Sequence, residues 1–128
     1  MSLPVKRSVA VLIRNGNTFL STRRADDDDE LPGVWGLPAG SYRGPETLED
    51  LITRIGKNKL GVTLMLVRKL AMERQARERY LLEMELWEAE MSGTPHHSAW
   101  RWATTESLED GKAKGSLCCE LALEVLRK

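Results

Sequence analysis

The segment GSYRGPETLEDLITRIGKNKLGV contains the side chains whose types and spacing best suit phosphate chemistry. It opens on Gly40 in a glycine-rich loop, and then places an acid at Glu46 and an arginine at Arg54. Carboxylates on one face of a helix bind hard cations such as Mg²⁺, whereas an ammonium group binds phosphate directly. Near the end of the segment, Lys59 is therefore a candidate phosphate ligand. The alternative is that Lys59 extends into solvent beside Lys57.

A loop followed by a helix must position these side chains. Pro45 suits the first turn of a helix, and acids follow it where the positive end of the helix dipole lies. Gly61 is a common helix terminator. These signals predict a helix from about Pro45 to Leu60, preceded by the turn-rich stretch WGLPAG. Within this helix Ile55 continues an apolar stripe, so we expect its side chain to be largely buried.

The remaining pattern predicts a mixed α/β fold. The run from Ser8 to Arg14, the dipeptide Asn15-Gly16 and the stretch TFLSTRR indicate a hairpin in which both turn residues need positive φ. Residues 63–91 indicate two strands with a polar connection near residues 74–79, and AWRWAT indicates a short strand. Ser116 would cap a terminal amphipathic helix. The order hairpin, loop, helix, strands, helix predicts an α/β/α sandwich with a mixed sheet.

Composition limits the classes of protein and partner. A chain of 128 residues predicts one domain over residues 1–128. Lys plus Arg and Asp plus Glu number 19 each, so no basic excess favours nucleic acid. The chain has no apolar run of membrane-spanning length and no apolar signal segment at its start, so we expect no membrane partner. The adjacent thiols of Cys118 and Cys119 suit a reducing compartment, which predicts a cytoplasmic protein.

Two further clusters resemble metal ligands but are better explained as surface features. The run ADDDDE at residues 25–30 has no ligand spacing, so we expect a solvated loop; the alternative is a cation-binding loop. His96 and His97 lie in a polar turn without a third ligand at a suitable spacing, so we expect both to be exposed.

The order of elements and one long motif resemble the Nudix hydrolases. The box of that family reads G-x5-E-x7-R-E-U-x-E-E-x-G-U, where U is a bulky aliphatic residue. Gly40, Glu46, Arg54, Gly61 and Val62 match it at the required spacing. The resemblance implies a Nudix-type fold in which Glu46 and Arg54 form a structural pair. It also implies cleavage of a diphosphate linked to a nucleoside, assisted by Mg²⁺ or Mn²⁺.

The box is degenerate at the positions that would hold the metal. Ile55, Asn58 and Lys59 replace three family glutamates, and Gly56 replaces the aliphatic residue. Loss of three carboxylates removes metal ligands, and an ammonium group repels a dication. We therefore expect weak metal binding, a slow reaction and no definite set of metal ligands.

The sequence does not assign a catalytic residue. The candidates are the remaining acids Glu46, Glu49, Glu83 and Glu85, although the last two are better explained as solvent-facing carboxylates. Asn58 and Lys59 are the candidate phosphate-binding residues. The resemblance implies a small nucleotide or phosphate metabolite as ligand, and it leaves a homodimer open.

Three functions fit this sequence. The first is a hydrolase of nucleoside diphosphate-linked compounds with an altered, metal-poor site. The second is a module that binds a nucleotide or phosphate metabolite without efficient hydrolysis. The third is a protein-interaction scaffold in which Ile55 widens an apolar helix face.

Overall fold

The computed structural model describes residues 3–96 and 99–128 of the chain. Its larger sheet, here called the first sheet, is mixed: β1 runs parallel to β7, while the other neighbouring strands are antiparallel. Along the sheet the strands are β5 (Ala39–Ser41), β1 (Val5–Leu12), β7 (Leu81–Ser92) and β6 (Thr63–Ala76).

A second, smaller sheet is built around β3, which pairs with the other three strands of this sheet. These strands are β2 (Arg14–Asn15), β3 (Thr18–Arg23), β4 (Trp35–Gly36) and β8 (Trp100–Ala103). The short strand expected in AWRWAT is therefore confirmed as β8.

The helical segments comprise α1, a π-helical segment that continues it, a 3₁₀ turn that leads into α2, and the terminal helix α3. Their bounds are α1 (Leu48–Arg54), the π segment (Ile55–Leu60), the 3₁₀ turn (Thr105–Leu108), α2 (Glu109–Ala113) and α3 (Leu117–Leu126). Ser116 caps α3 as expected, because its side chain accepts a hydrogen bond from the backbone N–H of Cys119. No helix in the described ranges has the length and apolar character needed to cross a membrane.

Two apolar cores lie on opposite faces of the first sheet. Along β1, Ala10 and Leu12 point to the core that contains α3, while Val9 and Val11 point to the core that contains α1. This alternation follows from the two-residue period of a strand. The predicted α/β/α sandwich with a mixed sheet is confirmed.

The predicted hairpin is wrong in its extent and its turn. The apolar run belongs mostly to β1 in the first sheet, and only the two residues of β2 pair with β3 in the second sheet. Asn15 is a strand residue opposite Thr18, so the turn is formed by Gly16 and Asn17. Of these two turn residues, only Gly16 has a positive φ, at 60°. The Asn-Gly signal indicates a tight turn. It does not show whether the two flanking segments pair along their whole length or join different sheets.

The predicted helix is correct in position but begins later than expected. Pro45 lies in a turn, and the helix begins at Leu48 with Thr47 as its N-cap. Thr47 and Asp50 exchange side-chain-to-backbone hydrogen bonds in a capping box, which fixes this start. Gly61 ends the helical run with φ of 73°, as predicted.

The two long strands expected between residues 63 and 91 are confirmed as β6 and β7. Their polar connection is shorter than predicted, since β6 continues through Ala76 and β7 starts at Leu81. The backbone N–H of Arg77 bonds to the carbonyl of Tyr80 at 2.8 Å and closes the turn between the strands.

Candidate functional site

The Glu46–Arg54 contact ties the loop before α1 to the end of that helix. Arg54 donates to both Glu46 carboxylate oxygens, at 2.8 and 2.9 Å, and to the backbone oxygen of Ser41 at 2.6 Å. Glu46 also accepts from the backbone N–H of Arg43 at 2.7 Å. The bond from Arg54 lowers the pKa of Glu46 to about 2. Glu46 therefore acts as a bound structural anion, which makes it a poor base.

Ile55 lies in the core beneath the opening glycine of the box. Its side chain has 0% exposure, which confirms the predicted burial. A Cβ placed on Gly40 would lie 3.2 Å from Cγ1 of Ile55 and 3.3 Å from Cδ1 of Leu51. Glycine permits this close approach of loop and helix. Because Ile55 fills that space, it adds no exposed apolar surface to the helix.

Gly56, at the aliphatic position of the box, is also explained by a close approach. A Cβ there would lie 2.8 Å from the backbone oxygen of Val62. The carbonyl of Gly56 accepts from the N–H of Val62 at 2.9 Å. The π-helical segment therefore folds back onto the start of β6, which differs from the regular α-helix expected over these residues.

A cleft of about 410 Å³ lies between the first sheet, the loop that contains the acidic run, and the start of α3. Gly40 and Lys59 line one part of it. Its charged lining residues are the cations Lys6, Arg23, Arg24, Lys59 and Arg77 and the acids Asp28 and Glu30. Five cations against two acids give the cleft a positive balance that suits an anionic ligand.

Lys59 contributes its charged group to this cleft. The residue as a whole is exposed, but its ammonium group reaches back and donates a hydrogen bond to the carbonyl of Ala39. Burial lowers the pKa of this ammonium group, and the positive charges of Arg24, Arg54 and Arg43 lower it further. Cations gathered around one ammonium group repel each other, and an anion between them would relieve that repulsion.

The other phosphate-binding candidate, Asn58, is exposed and does not line this cleft. Lys57 is exposed as well and lies outside it. Adjacent residues of a helix do not share a face, so neighbours in the sequence can point to different surroundings. The structure therefore separates Asn58 from Lys59, which the sequence had grouped together.

The candidate acids on β7 lie on the other face of the first sheet. Leu82 and Met84 line the cleft, whereas Glu83 and Glu85 alternate with them and face away. Glu83 pairs with Arg74 at 3.0 Å. Both carboxylates are largely covered, with exposures of 16% and 20%, so they are not the open solvent-facing groups expected.

Glu85 is stabilised as an anion on that face. Burial raises its pKa, but hydrogen bonds from Trp87 and Lys69 outweigh burial and leave the pKa lowered. Glu49, the remaining candidate, is exposed on α1. The structure thus brings none of the four candidate acids into the cleft.

The residues of the box do not fit the divalent-ion site that the family resemblance implies. Glu46 is engaged by Arg54, Ile55 is buried, and Lys59 is a cation. Within residues 3–96 and 99–128, no group of three or more His, Cys, Asp or Glu side chains could hold a metal ion. Hard cations need several converging oxygen ligands.

The acidic run is a loop, as expected, but two of its members are integrated into the cleft wall. Asp28 accepts hydrogen bonds from Arg24 at 3.2 Å and from the backbone N–H of Leu31 at 2.7 Å. Glu30 also lines the cleft. His96 is exposed as predicted, and His97 lies outside the described residues.

The sequence interpretation missed the cleft cations Lys6, Arg23, Arg24 and Arg77 and the aromatic Tyr80. Local signals were available for Arg23 and Arg24, because residues three or four apart often pair and Asp26 and Asp28 lie at that spacing. No sequence spacing links Lys6, Arg77 and Tyr80 to the cleft, because they come from β1 and from the turn between β6 and β7.

Comparison with known proteins agrees with the observed fold. A family model described as NUDIX domain matches residues 4–117. The chain therefore belongs to the Nudix family.

Relatives are similar over only part of their length. The nucleoside triphosphatase NudI of Escherichia coli O139:H28 (strain E24377A / ETEC) is 34% identical over 58 residues, which are 45% of this chain and 41% of NudI. The Escherichia fergusonii protein of the same name is 36% identical over 58 residues, with the same shares of each chain. The match thus spans less than half of these curated relatives.

Solved structures show the same fold at low identity. The E. coli ORF135 protein has a TM-score of 0.74 at 17% identity, covering 98% of this chain and 88% of that one. The MutT protein from Methanosarcina mazei Go1 has a TM-score of 0.73 at 20% identity, covering 84% and 83%.

Proposed function

We propose that the cleft binds the phosphate groups of a nucleotide, and that the protein hydrolyses nucleoside diphosphate-linked compounds slowly, through an altered, metal-poor Nudix site. The single observation that supports this most is the position of the Lys59 ammonium group. It lies at the carbonyl of Ala39, next to Gly40, in a cleft whose charged lining residues are mainly cations.

Charge supports phosphate binding at this end of the cleft. Lys59 supplies a point charge, and Arg24 supplies a planar guanidinium group that phosphate oxygens can bridge. Asp28 bonds to Arg24 and so limits its rotation. Binding here needs no divalent ion, because the side chains themselves neutralise the ligand. The nucleoside triphosphatase activity named for the NudI relatives is consistent with such a ligand.

The same residues support slow hydrolysis. Family members generally use divalent ions, and we propose that Mg²⁺ or Mn²⁺ binds weakly here because three of the four acids of the box are replaced. The acids Glu46, Glu49, Glu83 and Glu85 remain the candidates for a base, although they all lie outside the cleft. We expect turnover well below about 1 per second with Mg²⁺ across a panel of nucleotides.

Replacement of Lys59 tests the binding site directly. We expect Lys59→Ala to weaken binding of ADP in EDTA by about tenfold or more, since one charge-assisted hydrogen bond is lost. Isothermal titration calorimetry measures the change. Lys57→Ala is the matched control, because it removes the same charge from the exposed neighbour. Equal losses in the two variants, or turnover at about 1 per second or faster, would contradict the proposal.

The second candidate is binding of a nucleotide or phosphate metabolite without hydrolysis, and it is favoured because none of the four candidate acids for a base lines the cleft. A turnover assay separates it from the first, because binding would persist while phosphate release stays at the blank rate. The scaffold hypothesis loses its original basis, since Ile55 is fully buried and widens no exposed face.

Assembly and location are proposed on separate grounds. We propose one domain over residues 1–128, a cytoplasmic location suited to the free thiols of Cys118 and Cys119, and no nucleic-acid or membrane partner. A homodimer remains open. Size-exclusion chromatography with light scattering would determine the oligomeric state.

A further inference from the structure

The wall of the cleft farther from Lys59 contains a compact set of polar contacts around Glu30. One carboxylate oxygen of Glu30 accepts from Nη1 of Arg77 at 2.9 Å, and the other accepts from the hydroxyl of Tyr80 at 2.5 Å. Lys6 places its ammonium nitrogen 5.0 Å from the centre of the Tyr80 ring. All four residues line the cleft.

These contacts connect segments that are distant in sequence. Glu30 comes from the acidic loop, whereas Arg77 and Tyr80 come from the turn between β6 and β7, and Lys6 comes from β1. One N–H of Arg77 and the hydroxyl of Tyr80 each donate to a different oxygen of the Glu30 carboxylate, while Nη2 of Arg77 donates to the carbonyl of Gly115. Donors placed around one carboxylate in this way are how proteins bind the oxygens of a ligand carboxylate or phosphate.

Two features show that Glu30 alone does not complete this arrangement. Arg77 and Lys6 carry two positive charges, and the carboxylate of Glu30 supplies one negative charge. In addition, Nε of Arg77 is buried and has no hydrogen-bond partner among the described residues. A guanidinium group has five N–H donors and no acceptor, so Arg77 can donate to a further ligand oxygen in addition to Glu30 and the carbonyl of Gly115.

We propose that Arg77, Tyr80 and Lys6 form a second anion-binding subsite of the cleft, and that Glu30 acts there as an internal substitute for a ligand carboxylate or phosphate. A ligand anion would displace the Glu30 carboxylate and take over its hydrogen bonds from Arg77 and Tyr80. Loss of those bonds would also release the acidic loop from the turn between β6 and β7.

The distance between the Lys59 end of the cleft and the proposed subsite determines which nucleotides could occupy both places. Lys59 contacts Ala39, which lies opposite Ala10 on β1, and Lys6 is four residues earlier on that strand. At the usual rise of a strand the two ends are ~13 Å apart. The ligand would therefore carry a second anionic group well away from its diphosphate. This extension to the whole ligand rests on the proposed function, whereas the subsite itself does not.

The test titrates inorganic phosphate into ¹⁵N-labelled protein while the side-chain Nε–H resonance of Arg77 is followed by NMR. Glu30→Gln removes the competing carboxylate, and Asp27→Asn removes the same charge from an exposed position in the same loop. We expect Glu30→Gln to tighten the apparent phosphate Kd at Arg77 by at least about fivefold, because a competing state is removed. Asp27→Asn should change it far less.

Two further arms make the outcome decisive. Tyr80→Phe, added to Glu30→Gln, should weaken the phosphate response, and a parallel acetate titration shows whether the subsite prefers carboxylate or phosphate. The Arg77 response should persist in Lys59→Ala, so failure of the Lys59 site and failure of this subsite are observed separately. If Glu30→Gln leaves phosphate affinity unchanged or lowers it relative to Asp27→Asn, the contacts merely fasten the loop and the proposal is overturned.

Discussion

Glu46 shows how one side chain can match the box in type and position and still be unavailable for chemistry. Both of its carboxylate oxygens are used by Arg54, and one also accepts from the backbone of Arg43. A carboxylate held in this way stays ionised to low pH. Its contribution is to fix the loop that carries Gly40 against α1.

The pH dependence of stability tests this role of Glu46. Its pKa is lowered from 4.5 to about 2, so its stabilising contribution is present above pH 4.5 and is lost as pH falls towards 2. We expect Glu46→Gln to be less stable than the unmodified protein at pH 7, with the difference shrinking below pH 4.5 and vanishing only below about pH 2. Urea unfolding across this range measures it. The exposed Glu49→Gln is the control, and a difference that does not vary with pH would refute the role.

At the scale of elements, the helical run after Gly40 consists of two parts with different geometry. The regular part, α1, buries Leu51 and Ile52, and the π segment buries Ile55 and then turns back at Gly61. If the regular α-helix continued to residue 60, a helical wheel would place positions 55, 58 and 59 on one face. In the structure the first is in the core, the second is exposed, and the third reaches the cleft.

Ile55→Glu tests the packing of this element. The side chain is fully buried against Gly40 and Leu51, so an introduced carboxylate would be an unpaired buried charge. We expect it to reduce the free energy of unfolding by about 4 kcal/mol or more. Ile55→Val, which only shortens the side chain, should cost about 1 kcal/mol. Urea denaturation compares them, and similar small losses would mean that the site is open to water.

Metal binding is a property of the whole molecule, because its ligands must converge from several elements. Restoring all three missing acids would place one of them in the core and one outside the cleft, so Lys59 is the suitable position. We expect Lys59→Glu to bind Mg²⁺ more tightly than the unmodified protein, which should bind it weakly, because a carboxylate replaces a repelling ammonium group. Calorimetric titration with Mg²⁺ measures both. Tight binding to the unmodified protein would contradict the metal-poor site.

Much of the fold follows from local pattern. The alternation of Leu82, Met84 and Leu86 predicts which face of β7 is buried, and Ser116 predicts the start of α3. The N-terminal hairpin was wrong because a turn signal does not specify which sheet each flanking strand joins. The start of α1 was also misplaced, because Pro45 suits a turn as well as a helix.

The sequence by itself determined the family, through the spacing of Gly40, Glu46, Arg54 and Gly61, and it determined that three of the four acids of the box are absent. Only the tertiary structure decided where the charged groups point. The geometry of a motif within one loop and one helix is set by residues close in sequence. Its spacing in the sequence is therefore enough to recognise it. The cleft combines Lys6, Glu30, Lys59 and Arg77, whose distances depend on strand register and loop packing that no local pattern encodes.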